Sequence, residues 1–250
     1  PIGAVTGRMT HSSPNLAQTP ASYSPYGADC RSCWTVPKGY KLVGVDAAGL
    51  ELRMLAHYMN DEEYTNEIIN GDVHAANQKA AGLATRDSAK TFVYAFLYGA
   101  GDGKIGSIVG GTATDGARLK ALFLQNTPAL RDLRERVSRA SRRGHLRGLD
   151  GRKLVIRSEH ACLNTLLQSA GAIVMKKALT LLYEYAILHN IEFKFVGNIH
   201  DEFQAEVRED HADKFGWLAV ECIKAVEDRF NLRCPLDGEY KVGDNWAATH

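Results

Sequence analysis

The stretch Phe193-Lys-Phe-Val-Gly-Asn-Ile-His200-Asp201-Glu202-Phe-Gln-Ala-Glu-Val207 decides the fold class. Apolar residues alternate on both sides of a polar centre, so the stretch predicts two antiparallel strands joined at Asp201-Glu202. Upstream, Lys41-Leu-Val-Gly-Val45 is a short apolar run, typical of a buried strand that ends at Asp46. Because helical patterns separate and follow these strands, the sequence predicts an α+β fold with one antiparallel sheet.

Most of the remaining chain has helical periodicity. The first helix is predicted from Leu50, after a turn and cap region at 46–49. Further helical segments are expected over 62–145 with a break at 99–111, over 161–189 and over 210–230, with a hairpin around 148–152 and a short tail ending near Trp246. Residues 1–36 are rich in Ser, Pro, Thr, Asn and Gly, which predicts extended loop with short turns.

The composition of the 250 residues is that of a globular chain, with a net charge of +1. No apolar run approaches a membrane span and no signal-peptide pattern begins the chain, so we expect a cytoplasmic protein. The chain opens on Pro1 rather than Met, which is expected for a piece of a longer product. The five cysteines include one close pair, Cys30 and Cys33, and are expected to be reduced and structural.

Charge is unevenly distributed. Between Arg118 and Arg157 there are twelve Lys or Arg residues against three acidic ones. Such a run is typical of a solvated helical face, and equally of a surface that follows nucleic-acid phosphates.

Four residues form a stripe on a predicted helix. Arg86, Lys90, Tyr94 and Tyr98 recur every fourth residue, so their side chains lie on one side of that helix. Two cations followed by two aromatic rings match a ligand with phosphates at one end and a sugar or base at the other. His74, shortly upstream, is a candidate third donor to a polyphosphate. A solvated helix whose aromatic residues face the core is the alternative.

The two acidic strand ends predict a metal site. Asp46 ends one strand and Asp201-Glu202 lies at the turn of the hairpin, so carboxylates of one sheet can converge. Hard oxygen ligands suit Mg²⁺, and two such ions can activate a 3′-hydroxyl and stabilise departing pyrophosphate.

Gly101-Asp-Gly-Lys-Ile-Gly106 matches a dinucleotide-binding pattern, but a helix precedes it. We therefore expect it to be a flexible glycine break.

Together these residues resemble the family A DNA polymerases, especially those of short-tailed bacteriophages. Val43-Gly-Val-Asp46-Ala-Ala-Gly-Leu-Glu51-Leu-Arg53 is similar to the family's motif A, the stripe from Arg86 to Gly99 to motif B, and His200-Asp201-Glu202 to motif C. The segments 3–8 and 164–171 resemble flanking palm segments that contact DNA. The resemblance covers essentially the whole chain.

The resemblance implies a role for each matching position. Asp46, Asp201 and the carbonyl of Ala47 would hold two Mg²⁺ ions, with Glu202 among the catalytic residues. The triphosphate of an incoming dNTP would bind His74, Arg86 and Lys90, and Lys90 would also protonate the leaving pyrophosphate. Tyr94 would contact the sugar together with Glu51, and this pair would exclude a ribose. Tyr98 would contact the nascent base pair. Arg8 and Gln168 would contact the primer–template minor groove, and His200 the primer end.

The resemblance also implies an organisation. Residues 1–60 and 147–250 would form the palm, an antiparallel sheet with flanking helices, and 61–146 a mostly helical fingers insertion. Nothing resembles the family's thumb or exonuclease, so a companion chain or a longer product would supply them, in the cytoplasm of an infected host cell if the gene is a phage gene. A phage-type single-subunit RNA polymerase is one alternative, although Glu51 and the HDE turn disfavour it. A nucleic-acid-binding subunit without catalysis is another.

Overall fold

The computed structural model describes residues 4–250, so Pro1 and Gly3 of the sequence predictions lie outside the described part. Within it the strands are β1 (Tyr40–Ala47), β2 (His145–Arg147), β3 (Lys153–Val155), β4 (Phe193–Ile199), β5 (Glu202–Arg208) and β6 (Gly238–Gly243). The α-helices are α1 (Gly27–Ser32), α2 (Leu50–Met59), α3 (Glu62–Ile69), α4 (Val73–Ala81), α5 (Arg86–Leu97), α6 (Asp102–Ile108), α7 (Ala113–Asn126), α8 (Pro128–Ser141), α9 (Cys162–Leu188) and α10 (Ala212–Phe230). The α+β prediction is confirmed.

The chain divides into two compact units. One runs to Leu50 and resumes at Gly171–His250, and the other comprises Glu51–Ala170. The names palm and fingers, and the predicted boundaries 1–60, 61–146 and 147–250, stay predictions.

The first unit is built on a four-stranded antiparallel sheet in the order β4-β5-β1-β6. Its buried face carries Val43, Val45, Phe203 and Ala205, against which α10 packs with the fully buried Phe215. Side chains alternate along a strand, so the neighbouring positions Glu202 and Gln204 lie on the opposite face. That opposite face is where the polar residues of this unit gather.

β4 is an edge strand of this sheet, with β5 as its neighbour among the described strands. Its Phe195 and Val196 are 39% and 51% exposed. The ring of Phe195 lies 5.2 Å from Phe193, whose ring lies 6.0 Å from the half-exposed Tyr183 of α9. An apolar surface therefore continues from the sheet edge onto α9.

The second unit is helical, with the small β2–β3 hairpin. Its core contains an aromatic cluster in which the rings of Phe92, Phe96 and Phe123 lie 5.1–5.9 Å apart. α5 begins after Thr85, whose hydroxyl accepts a hydrogen bond from the Ser88 N–H, so the chain supplies its own N-cap.

Three local predictions are wrong. The tail contains β6, and residues 1–36 contain α1, in which Cys30 lies. The expected break at 99–111 contains α6. Glycine serves packing here: a Cβ on Gly106 of α6 would lie 1.9 Å from the Thr112 carbonyl oxygen, and one on Gly116 of α7 would lie 2.0 Å from that of Asp102. Glycine here lets α6 and α7 approach closely.

All five cysteines are free thiols, as expected. Cys30 and Cys33 are exposed, whereas Cys162, Cys222 and Cys234 are buried. No helix among residues 4–250 is long and apolar enough to cross a bilayer.

Candidate functional site

In the first unit, two carboxylate residues lie at neighbouring strand ends. Asp46 is the next-to-last residue of β1, and Asp201 is in the turn between β4 and β5. The backbone N–H of Ala47 donates to the carbonyl oxygen of Asp201 at 3.0 Å. This bond ties the two strand ends together and brings Asp46 and Asp201 to one place.

Asp46 is strongly perturbed. Burial, followed by repulsion from Asp201, Glu202 and Glu239, raises its pKa to about 7, and Lys241 partly opposes this. The carboxylates therefore carry more negative charge than the site accommodates, and a bound cation would relieve it.

Asp46 also belongs to a row of three carboxylates across three strands. Asp46 is paired with Glu202 of β5 on one side and with Glu239 of β6 on the other. A cavity of about 240 Å³ opens beside them, with Lys241 and His250 also in its wall. Directly opposed residues point to the same face of a sheet, so the row forms one acidic edge of the cavity.

The donor set suits Mg²⁺ rather than a soft metal. No group of three or more His, Cys, Asp or Glu side chains within residues 4–250 is arranged to hold an ion by itself. Mg²⁺ is commonly bound by one or two carboxylates together with substrate phosphates and water. Asp46 and Asp201, with excess negative charge around Asp46 and a cavity beside it, fit that mode of binding.

The raised pKa of Asp46 predicts a pH-dependent stability for the metal-free protein. The pKa is about 7 in the folded chain, against an ordinary value of 3.8 for an aspartate side chain. The folded state thus retains a proton that the unfolded state releases, so stability falls as pH rises from about 4 to about 7. The shift corresponds to at most about 4 kcal/mol, and partial exposure reduces it to about 2 kcal/mol.

Asp46→Asn removes this penalty. In EDTA we expect the variant to be more stable than the wild type by about 2 kcal/mol at about pH 8, with a clearly smaller gain at about pH 5. Urea unfolding measures both, and Asp213→Asn, a change in an exposed residue of α10, is the control. An equal gain in the free energy of unfolding at both pH values would contradict a raised pKa of Asp46 as its cause.

His200 immediately precedes Asp201 and is held in a strained turn. Its φ is 63°, in the left-handed region. Burial, then the nearby Arg8 and His11, lowers its pKa, and Asp201 opposes them. Arg8 is half-buried, and Nε2 of His11 hydrogen-bonds the Asn198 carbonyl at 2.6 Å. The structure therefore gathers Arg8 and His200 near the same turn.

In the second unit, the stripe lies on α5 and faces away from the core. Arg86 and Lys90 are exposed, Tyr94 is half-buried, and Tyr98 is the C-cap, 48% exposed. The opposite side of α5 supplies the buried residues Ala89, Phe92, Val93, Phe96 and Leu97. The alternative in which the tyrosines belong to the core is therefore excluded.

Positive charge gathers beside the start of α5. Burial, then Arg86 and Lys90, lowers the pKa of His74, so these three residues are within electrostatic range of one another. The Nδ1 atom of His74 is buried and has no hydrogen-bond partner among the described residues. Such an arrangement suits an anionic ligand that would supply the missing partner.

Asp72 organises this cluster. Its carboxylate accepts hydrogen bonds from the backbone N–H groups of His74 and Ala75, which caps α4. The same carboxylate accepts from Nε of Arg86 at 2.7 Å. Arg86 is therefore held toward His74 before any ligand arrives.

The aromatic end of the stripe is also connected. The ring of Tyr94 lies 6.4 Å from that of His74 and 6.4 Å from that of Tyr98. The hydroxyl of Tyr98 donates to Oε2 of Glu51 at 3.0 Å. Glu51 is thus joined to the stripe, through Tyr98.

Gln168, a predicted DNA-contacting residue, lies half-buried on α9.

Sequence reasoning missed Glu239, Lys241, Asp72 and Trp246. The first two lie on the unpredicted β6, so nothing indicated that they neighbour Asp46. Asp72 does carry a sequence signal, since an Asp directly before a helical pattern is a common N-cap. Trp246 follows β6 in the tail, where no periodic pattern points to a role.

Comparison with known proteins identifies the family of this chain. Residues 1–248 match the family model described as DNA polymerase family A. The DNA-directed DNA polymerase of Escherichia phage T7 is 46% identical over all of this chain and 40% of its own length. That of Escherichia phage Phieco32 is 38% identical over 86% of this chain and 41% of its own length.

One further match is at lower sequence identity, and one is to a solved structure. The thermostable DNA polymerase I of Thermus aquaticus is 26% identical over 96% of this chain and 31% of its own length. The solved POL domain of Pol1 from M. smegmatis, in complex with DNA primer-template and dNTP, has a TM-score of 0.87 at 22% identity, covering 98% of this chain and 47% of that one. The chain spans about two fifths of the length of its phage relatives.

Proposed function

Because the chain belongs to DNA polymerase family A, we propose that it joins dNTPs to a primer 3′ end in a template-directed reaction. The observation that carries the proposal is the junction of Asp46 and Asp201 through the Ala47–Asp201 backbone bond, at carboxylates whose excess charge calls for a cation. The same chain presents a cationic and aromatic stripe suited to a nucleoside triphosphate.

Two Mg²⁺ ions are the proposed cofactors. Asp46 and Asp201 would bind them through carboxylate oxygens, with the carbonyl of Ala47 as a further ligand. When bound, such ions lower the pKa of a primer hydroxyl and neutralise charge on the phosphates. The protein's own contribution is to hold the Asp46 and Asp201 carboxylates close together.

The incoming nucleotide would lie along α5. His74, Arg86 and Lys90 would hold the triphosphate oxygens, and Lys90 would donate a proton to the leaving pyrophosphate. Tyr94 would pack against the sugar with Glu51 excluding a 2′-hydroxyl, while Tyr98 would contact the nascent base pair. The Asp72–Arg86 ion pair supports this, because it orients the guanidinium before binding.

Primer–template DNA is the proposed partner. Arg8 and Gln168 would contact its minor groove and His200 the primer end. The palm (1–60 and 147–250) and fingers (61–146) assignments belong to this proposal. A companion polypeptide or further segment that carries thumb and exonuclease also belongs to it. The same holds for action in the cytoplasm of the infected host cell, if the gene is a phage gene.

Sugar selection tests the proposal. The complete polymerase should incorporate dNTPs about 100-fold or more faster than rNTPs at low concentration, because a ribose hydroxyl would meet Glu51. Glu51→Ala should narrow this preference, and Glu62→Ala, an exposed change in the first turn of α3, should not. Single-nucleotide incorporation on a primed template measures both ratios.

Two results would contradict the proposal. Comparable incorporation of rNTPs and dNTPs by the wild type would favour an RNA polymerase. Tight DNA binding without any incorporation would favour a non-catalytic DNA-binding subunit.

A further inference from the structure

Glu202 is a buried carboxylate beside the proposed metal ligand Asp201, and it is 5% exposed. Its Oε1 accepts hydrogen bonds from Nε2 of Gln204 at 2.6 Å and from the indole Nε1 of Trp246 at 2.8 Å. Its Oε2 is 2.6 Å from Nδ1 of His250. Both carboxylate oxygens are thus already engaged by protein donors, so Glu202 is poorly suited to bind a metal ion.

Trp246 is itself firmly fixed. Its ring is 4% exposed, and the guanidinium carbon of Arg31 lies 4.3 Å from the ring centroid. Its backbone N–H donates to the carbonyl oxygen of Trp34 at 3.0 Å. A rigid indole N–H therefore points at Glu202 from a segment far away in the chain.

The residues that follow Trp246 close over the same face of the sheet. The hydroxyl of Thr249 donates to Oε1 of Gln204 at 2.8 Å, which orients the Gln204 amide toward Glu202. Gly44 of β1 makes room for them, because a Cβ there would lie 2.4 Å from the carbonyl oxygen of Thr249. The segment 246–250 thus seats directly on the strands that carry the carboxylates.

We propose that Trp246 is a positioning residue for the catalytic turn and acts through Glu202. The inference rests on the proposed function. The turn at His200-Asp201 is held on one side by the Ala47–Asp201 bond and on the other by the anchored Glu202. Trp246 holds the Glu202 carboxylate in place. Through Glu202 it fixes the neighbouring Asp201 relative to Asp46, and these two residues supply the carboxylates to the ions.

Trp246→Phe is the decisive variant, made in the complete polymerase. It keeps an aromatic ring against Arg31 and removes only the donor to Glu202. We expect the affinity for Mn²⁺, measured by electron paramagnetic resonance, to fall about 10-fold, and the incorporation rate at saturating dNTP to fall by a similar factor. Losses of this size are common when a residue that supports a metal ligand is changed. The KM for dNTP should stay unchanged, because its proposed ligands lie on α4 and α5. Trp217→Phe is the matched control, since Trp217 lies on α10 and is 59% exposed.

A double-variant cycle shows whether Trp246 works through Glu202. If it does, Glu202→Ala with Trp246→Phe loses no more Mn²⁺ affinity than Glu202→Ala alone. Losses that multiply would overturn the inference. So would a Trp246→Phe protein that binds Mn²⁺ and incorporates dNTP like the Trp217→Phe control. In either case a loss of incorporation in Asp201→Asn would leave the proposed function standing, because that variant tests the metal ligand itself.

Discussion

Asp201→Asn is expected to abolish Mg²⁺-dependent primer extension by the complete polymerase, lowering the incorporation rate by about 1,000-fold or more. The carboxylate charge is what the substitution removes. The bond that joins Asp201 to Ala47 uses the backbone carbonyl and is untouched. Loss of activity without loss of folding is therefore the expected pattern, and rapid-quench incorporation with circular dichroism measures both.

Asp244→Asn is the control for this variant. Asp244 lies in the same unit and pairs with Lys41 at 2.8 Å, but its side chain is 77% exposed. Exposed pairs of this kind contribute little. The control should extend primers at the wild-type rate, and undiminished extension by Asp201→Asn itself would contradict the two-metal proposal.

Lys90→Ala has the second-largest expected effect. Lys90 is exposed on α5 and perturbs His74 together with Arg86, so its removal takes a cation from the proposed triphosphate site without disturbing the core. We expect the rate at saturating dNTP to fall about 1,000-fold, since a positioned proton donor and a phosphate charge are both lost.

Lys90→Arg separates those two losses. A guanidinium keeps the positive charge but does not deprotonate near neutral pH, so it binds phosphate without serving as an acid. The KM for dNTP of Lys90→Arg should be closer to the wild-type value than that of Lys90→Ala. The incorporation rate of Lys90→Arg at saturating dNTP should stay low. Full recovery of the rate would show that charge alone is required. Lys79→Ala, an exposed change in the last turn of α4, is the control.

Local patterns were sufficient to predict the elements that carry most of the site. β1, the β4–β5 hairpin and α5 each have strong periodicity within one segment, so Asp46, Asp201 and the stripe were placed on the correct element types. β6 was missed because its six residues have glycine at both ends and gain stability from pairing with β1, a partner about 200 positions away. The roles of the site residues stay predictions.

Packing accounts for other differences. α6 contains glycines that disfavour a helix, and it forms because close approach to α7 compensates for their low propensity. The hydrogen bonds of Glu202 could not be predicted from the sequence for a related reason. Two of the three come from Trp246 and His250, more than 40 positions away, and no spacing rule joins such residues.

The edge position of β4 has a consequence for handling the protein. An exposed strand edge flanked by Phe195 and Val196 invites edge-to-edge pairing with another molecule. Lys194, whose ammonium reaches Glu206 at 3.0 Å and whose side chain is 72% exposed, is the charge on this strand that opposes such pairing. Because salt screens exposed charges, we expect high ionic strength to favour such pairing at β4, which lies at the opposite edge of the sheet from β6.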